Sequence, residues 1–181
     1  MRPGVYRSRA RRFASAAGVL LLVAAGAAAA PRLAELPQAW RNDEGKRVAL
    51  SDHLGRRVVL TMAYASCHRI CPATMTELEQ YQGALDARGE AADFVIVGYD
   101  PAHDDAAAWR RFRARHHLTR ANWSFLGGSR RDTEALARAL GFEYWTYDEH
   151  VMHGARVVVF DTHGLVMATA DPATPGWAAA L

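Results

Sequence analysis

The chain contains two cysteines, Cys67 and Cys71, in the stretch Tyr64-Ala65-Ser66-Cys67-His68-Arg69-Ile70-Cys71-Pro72. The familiar dithiol redox motif leaves two residues between its cysteines; here there are three. On a regular helix, positions i and i+4 share a face with Cβ atoms about 5–6 Å apart. A disulfide wants them about 3.5–4.5 Å apart, so it needs a loop or a distorted turn. Two thiolates on one ion face a looser demand, because bonds of about 2.3 Å let the sulfurs sit roughly 4 Å apart. The spacing tolerates a metal more readily than a disulfide and forbids neither. Soft thiolates favour Cu(I), zinc or iron–sulfur clusters, and two sulfurs with one imidazole suit copper or zinc. Two cysteines are too few for a four-thiolate cluster. The plainer alternatives are a stabilising disulfide or two small buried side chains.

Eight histidines offer a third donor. His153, in His150-Val151-Met152-His153-Gly154-Ala155, precedes the last strand pair and can reach the cysteine end of a sheet from a loop. His150 and His68 are its rivals. Met75 and Met152 carry thioether sulfur, but isolated methionines ordinarily pack, as do Trp109 and Trp145. If the pair is instead a redox group, Cys67 is the attacking thiol and Cys71 the resolving one.

The flanking sequence says what must hold these residues. Residues 48–50 and 58–63 read as strands around the breaker Gly55, and Asn42 to Gly45 as a turn cluster. Pro72 suits the first turn of a helix running to about residue 85, with Met75, Leu78, Gln82 and Leu85 at helical spacing. That helix start beside Cys71 is expected to lower thiol pKa, which assists metal binding and nucleophilic attack alike. A short apolar strand follows at 94–99, then a helix at 106–116 capped by Asp104 or Asp105. Residues 123–126 form a strand, and Ser129 or Asp132 caps a helix ended by Gly141. Two closing strands, 157–160 and 165–169, flank the turn Asp161-Thr162-His163-Gly164. A βαβ portion with an antiparallel hairpin after it predicts an α/β fold, a mixed central sheet flanked by helices. This is the thioredoxin plan, with a cysteine motif between an early strand and the first main helix.

The N-terminus reads as an address. Five of the 22 basic residues lie in the first twelve positions, followed by an apolar run through Ala30. That order marks residues 1–30 as a signal peptide or an N-terminal membrane anchor, with 31–181 as one domain. Export places the two cysteines in an oxidising compartment. Without residues 1–30, 17 basic side chains face 19 acidic ones, a net of −2. No basic stripe remains for neutralising phosphates, which excludes nucleic-acid binding as the natural function.

Taken in order, these residues resemble the Sco (SenC) family of copper chaperones for cytochrome c oxidase assembly. The family pattern Tyr-x-x-Cys-x-x-x-Cys-Pro is matched by Tyr64, Cys67, Cys71 and Pro72. Its Asp-Pro stretch with a second aspartate is matched by Asp100, Pro101 and Asp104. Trp123, Gly127, Leu140 and Gly141 follow in place, and His153 stands eight residues before the turn aspartate Asp161, an offset His150 does not satisfy. The resemblance covers roughly residues 36–170. It implies copper as the metal, with Cys67, Cys71 and His153 as ligands and Asp100 either beside them in an outer role or as a simple turn residue. It also implies a binding and delivery protein of the bacterial periplasm. Such a protein brings copper to, or prepares the cysteines of, the CuA-bearing subunit of cytochrome c oxidase or another copper protein. Thiol–disulfide exchange with a reductant partner is the alternative activity. The chain departs from the family in Gly154, where serine is usual after the ligand histidine, and in His103, where arginine is common. His68 after the first cysteine and a shortened C-terminal helix are further departures.

Overall fold

The computed structural model describes residues 30–67, 70–147 and 150–180. The segment read as a signal or anchor therefore lies outside the described residues, apart from Ala30, and so does His68. Among the described residues, no helix is long and apolar enough to cross a membrane.

The main sheet is built on β3 (Arg57–Ala63) and β4 (Ala92–Gly98), paired in parallel from Arg57↔Ala92 to Ala63↔Gly98. Both are buried almost throughout, as strands covered on two faces must be. Alternation along them divides the apolar interior in two. Val59, Phe94 and Ile96 point to one face, where they meet Leu78, Tyr81 and Leu85 of helix α1 (Ile70–Ala87). Trp109 and Phe112 of helix α2 (Ala106–Arg115) complete that layer. Val58, Leu60, Val95 and Val97 point to the other face. There they pack with Leu33, Leu36, Trp40 and Leu50 of the N-terminal segment and with Leu136 and Leu140 of helix α3 (Arg130–Leu140).

Strand β5 (Trp123–Gly127) adds to β4 in parallel. Strands β8 (Val157–Phe160) and β9 (Val166–Ala170) add antiparallel beyond β3, and β1 (Trp40–Asn42) and β2 (Arg47–Val48) close the opposite edge. The order is β2-β1-β5-β4-β3-β8-β9, a mixed sheet flanked by helices and thioredoxin-like, as expected. The turn before β9 needs Gly164 at φ 74°, and a Cβ there would meet Leu54 at 2.8 Å.

Several boundaries differ from the sequence reading. Helix α1 begins at Ile70, so Cys71 lies inside its first turn. Asp105, not Asp104, caps α2, accepting the Ala108 N–H at 2.7 Å. Ser129 caps α3 through the Asp132 N–H at 3.1 Å. The largest difference is a separate two-stranded sheet of β6 (Tyr144–Tyr147) and β7 (His150–His153), the second of which spans residues expected in a loop. The Tyr-Trp-Thr-Tyr run of β6 has the aromatic and β-branched character of a strand, and that signal was available. The short C-terminal segment ends in a 3₁₀ turn at Trp177–Ala180. Trp177 is buried against Tyr81 and donates its indole N–H to Glu77 at 3.1 Å.

Candidate metal centre

Parallel strands β3 and β4 end side by side, and the loops that follow them meet at the carboxyl edge of the sheet. In open α/β sheets that edge is where ligands bind. The loop after β3 carries Cys67 into α1, and the loop after β4 carries Tyr99 to Asp104. The last rung between them is the Tyr99 N–H donating to Ala63 O at 2.8 Å.

Cys67 and Cys71 are both buried and are not joined in a disulfide. The Cys71 N–H donates to Cys67 Sγ at 3.3 Å, so the first sulfur satisfies one of the donors a helix start leaves unpaired. The third member comes from the small sheet. His153, 8 % exposed, puts Nε2 at 3.4 Å from Cys71 Sγ. Its Nδ1 lies 2.8 Å from the Gly154 carbonyl, which can only accept, so Nδ1 carries the proton and the Nε2 lone pair faces the sulfurs. Tyr64 meets the imidazole edge-on with centroids 5.6 Å apart, and Tyr99 packs against it at 4.8 Å. The ring is thereby held in plane and in tautomer.

The two sulfurs and the imidazole nitrogen lie within 4.8 Å of one another. A trigonal ion with bonds of about 2.1–2.3 Å holds its donors roughly 3.7–4 Å apart. Rotamer adjustments of under about 1 Å close that difference. The donor set is soft, compact and without a carboxylate. It suits Cu(I) or zinc and is poorly matched to magnesium or calcium.

The electrostatics oppose early ionisation. The Cys67 sulfur beside it and burial raise the Cys71 thiol well above its ordinary value, against the lowering expected from the helix start. The second sulfur and desolvation both favour the neutral thiol here. Burial and a hydrogen bond with Cys67 likewise keep the Tyr64 phenol neutral, and burial does the same for Tyr99. Thiol protons must therefore be displaced when a metal enters.

The other sequence candidates fall into place around this group. Asp100 directs its carboxylate within its own loop, to His103 Nδ1 at 2.7 Å and the Ala102 N–H at 3.2 Å. That pairing raises the pKa of exposed His103. Met75 is buried in the same cluster as the cysteines, whereas Met152 is 42 % exposed. Trp109 is a core residue, but Trp145 is 57 % exposed, a correction to its reading as packing. Alternation along β6 turns Tyr144 toward Tyr99 and Trp145 to the other face, opposite Met152. His150 is described only by its register, opposite Tyr147. A cleft of about 650 Å³ opens beside the site, lined by Ser66, Tyr99, Asp100, His103, Tyr144 and Val151 among others.

Sequence reasoning missed the use made of Asp104. It is 3 % exposed and accepts the Ala65 N–H at 2.7 Å and the Asp100 N–H at 2.8 Å. Burial pushes its pKa up to about 7 despite those two bonds. The available signal was Gly98, a glycine ending a strand where another group comes close.

Comparison with known proteins gives one family. The SCO1/SenC family model matches residues 35–180. The SCO1 protein homolog of Bacillus subtilis is 28 % identical over 92 residues, covering 51 % of this chain and 48 % of that protein. The chain spans about half the length of the curated relatives it matches. Among solved structures, Arabidopsis thaliana ScoI with copper bound superposes with a TM-score of 0.67 at 20 % identity, covering 75 % of this chain and 86 % of that one. A SCO1/SenC family lipoprotein from Bacillus anthracis gives 0.69 at 21 % identity, covering 76 % and 84 %. At these identities the structures share the fold with this chain.

Proposed function

The chain belongs to the SCO1/SenC family, and from that membership we propose that it is an exported copper-binding protein that holds its ion through Cys67, Cys71 and His153. It acts as a metallochaperone, delivering copper to the CuA-bearing subunit of cytochrome c oxidase or to another copper protein. The observation that carries this reading is the convergence of two thiols and an oriented imidazole Nε2 within 4.8 Å. Family membership supports copper over zinc for that donor set, and the copper-bound state of the Arabidopsis relative adds to it. The basic, then apolar N-terminus supports export, as does the lipoprotein among the structural relatives.

The chemistry of delivery follows from the residues. Cu(I) entering the site displaces thiol protons to solvent and keeps its oxidation state. His153 presents a neutral donor without rearranging, because Tyr64, Tyr99 and the Gly154 carbonyl already fix its ring. A client thiolate leads release by replacing one protein ligand at a time, so that the ion is never without soft donors. Asp100 serves the site from outside, through its N–H bond to Asp104.

The test is a copper titration of the reduced chain beside His153→Ala. One ion per chain, bound much more weakly in the variant, is the expected result. Negligible binding with intact disulfide exchange through Cys67 and Cys71 overturns the assignment in favour of a dithiol oxidoreductase, for which His153 is dispensable.

A further inference from the structure

We propose that Asp104 is the positioning residue of the metal centre, its carboxylate clamping the cysteine loop to the loop after β4. The ladder between β3 and β4 runs out at the Tyr99–Ala63 bond, just where the chain must leave sheet geometry to present Cys67. The carboxylate supplies the next rung. Oδ1 takes the N–H of Ala65, two residues before Cys67, and Oδ2 takes the N–H of Asp100 in the neighbouring loop. Each oxygen holds one loop, so the spacing between the loops is set by the width of a carboxylate.

The surroundings are shaped for this side chain. A Cβ on Gly98 would stand 2.7 Å from Asp104 Oδ2 and 2.8 Å from its Cβ. One on Gly127 would collide with the Asp104 carbonyl oxygen. Two strands thus end in the residue that lets Asp104 enter. Its backbone is folded back as well, with its N–H donating to Asp100 O at 2.8 Å. A residue serving only as a turn or a helix cap needs neither the burial nor the two cleared walls, and capping of α2 already falls to Asp105. The donors that the clamp aligns are Cys67 and, through the Cys71 N–H bond to its sulfur, Cys71.

The importance of this geometry for copper rests on the proposed function, while the clamp itself does not. Asp104→Asn keeps the shape but offers one acceptor oxygen for two N–H donors, with its amide turned against the other. The control is Asp93→Asn, a buried carboxylate at the opposite end of β4. In the copper-free protein, the amide hydrogens of Ala65 and Asp100 are expected to exchange faster in Asp104→Asn and unchanged in Asp93→Asn. In the copper form, Asp104→Asn is expected to weaken Cu(I) binding roughly tenfold and to shift the ultraviolet sulfur-to-copper charge-transfer band of the Cu(I) complex. Asp93→Asn is expected to leave both unaltered at equal or greater loss of thermal stability. Unchanged exchange at Ala65 overturns the clamp, whether or not the chain binds copper. Wild-type affinity and spectrum in Asp104→Asn, or equal losses in both variants, overturn its positioning role. Absence of copper binding by the wild type overturns the proposed function instead and leaves the clamp to be judged by exchange alone.

Discussion

Strand β4 has a buried carboxylate at each end, and the two are treated in opposite ways. At the start, Asp93 is paired with His53 Nδ1 at 2.7 Å and with the Arg56 guanidinium. Burial alone would raise its pKa, but these two hydrogen bonds outweigh it and hold the carboxyl below the ordinary range. At the far end, the partners of the Asp104 carboxylate among the described residues are backbone N–H groups, and burial wins, to about 7. The first end is closed by charge. The second, among the described residues, is organised by N–H donors, aromatic rings and one carbonyl. A cation beside the thiols would compete with a metal for their charge, so the arrangement that best stabilises one end would spoil the other.

The sharpest way to break the contrast is to remove a donor. Cys67→Ser or Cys71→Ser is expected to abolish thiolate copper binding, read by titration, while the Asp93 end and the overall fold stay intact by circular dichroism. His153→Ala comes next, with affinity expected to fall by more than about 100-fold, beyond what loss of an outer partner produces. At the inert end, Asp93→Asn removes charge-assisted bonds and is expected to lower stability by about 2–3 kcal/mol in chemical denaturation, without changing copper stoichiometry.

The pH responses of the two ends differ in sign. Asp93 has a depressed folded pKa, so its stabilisation is present above the unfolded value and is lost as pH falls through the folded one. Asp104 has a raised folded pKa, so the unfolded chain ionises first. Wild type is then expected to lose stability relative to Asp104→Asn as pH rises from about 4 to about 7. Urea denaturation across that range measures both trends. The smallest expected effect is at Gly154, where the family usually has serine. A Cβ there meets nothing within 4 Å and φ is not positive, so Gly154→Ser should leave stability and affinity near wild type.

Much of this was legible in the sequence, for reasons that can be named. Strands β3, β4 and β8 are continuous apolar runs, and such runs announce themselves. The cysteine pair and the offset of His153 from Asp161 carried the site. What stayed hidden depends on distance in space. Nothing local to Asp104 says that two glycines, 6 residues before it and 23 after it, clear room for it. Residue type suggested that the helix start would acidify Cys71, but only burial beside a second sulfur decides the direction. The β6–β7 hairpin was legible and was passed over. The residues around His153 read as a loop, whereas the aromatic and β-branched residues of β6 argue for a strand.

That hairpin has a consequence for the number of donors the protein commits to an ion. The two sulfurs are four residues apart at one helix start, so their bite is a property of local chain. The imidazole arrives on a separate two-stranded sheet, 82 residues away in sequence from Cys71. In the proposed site, chelation by two groups is therefore written into secondary structure, whereas the third donor depends on the tertiary contacts that Tyr64 and Tyr99 make with His153 and Tyr144. Denticity in this molecule is a measure of how the hairpin is seated.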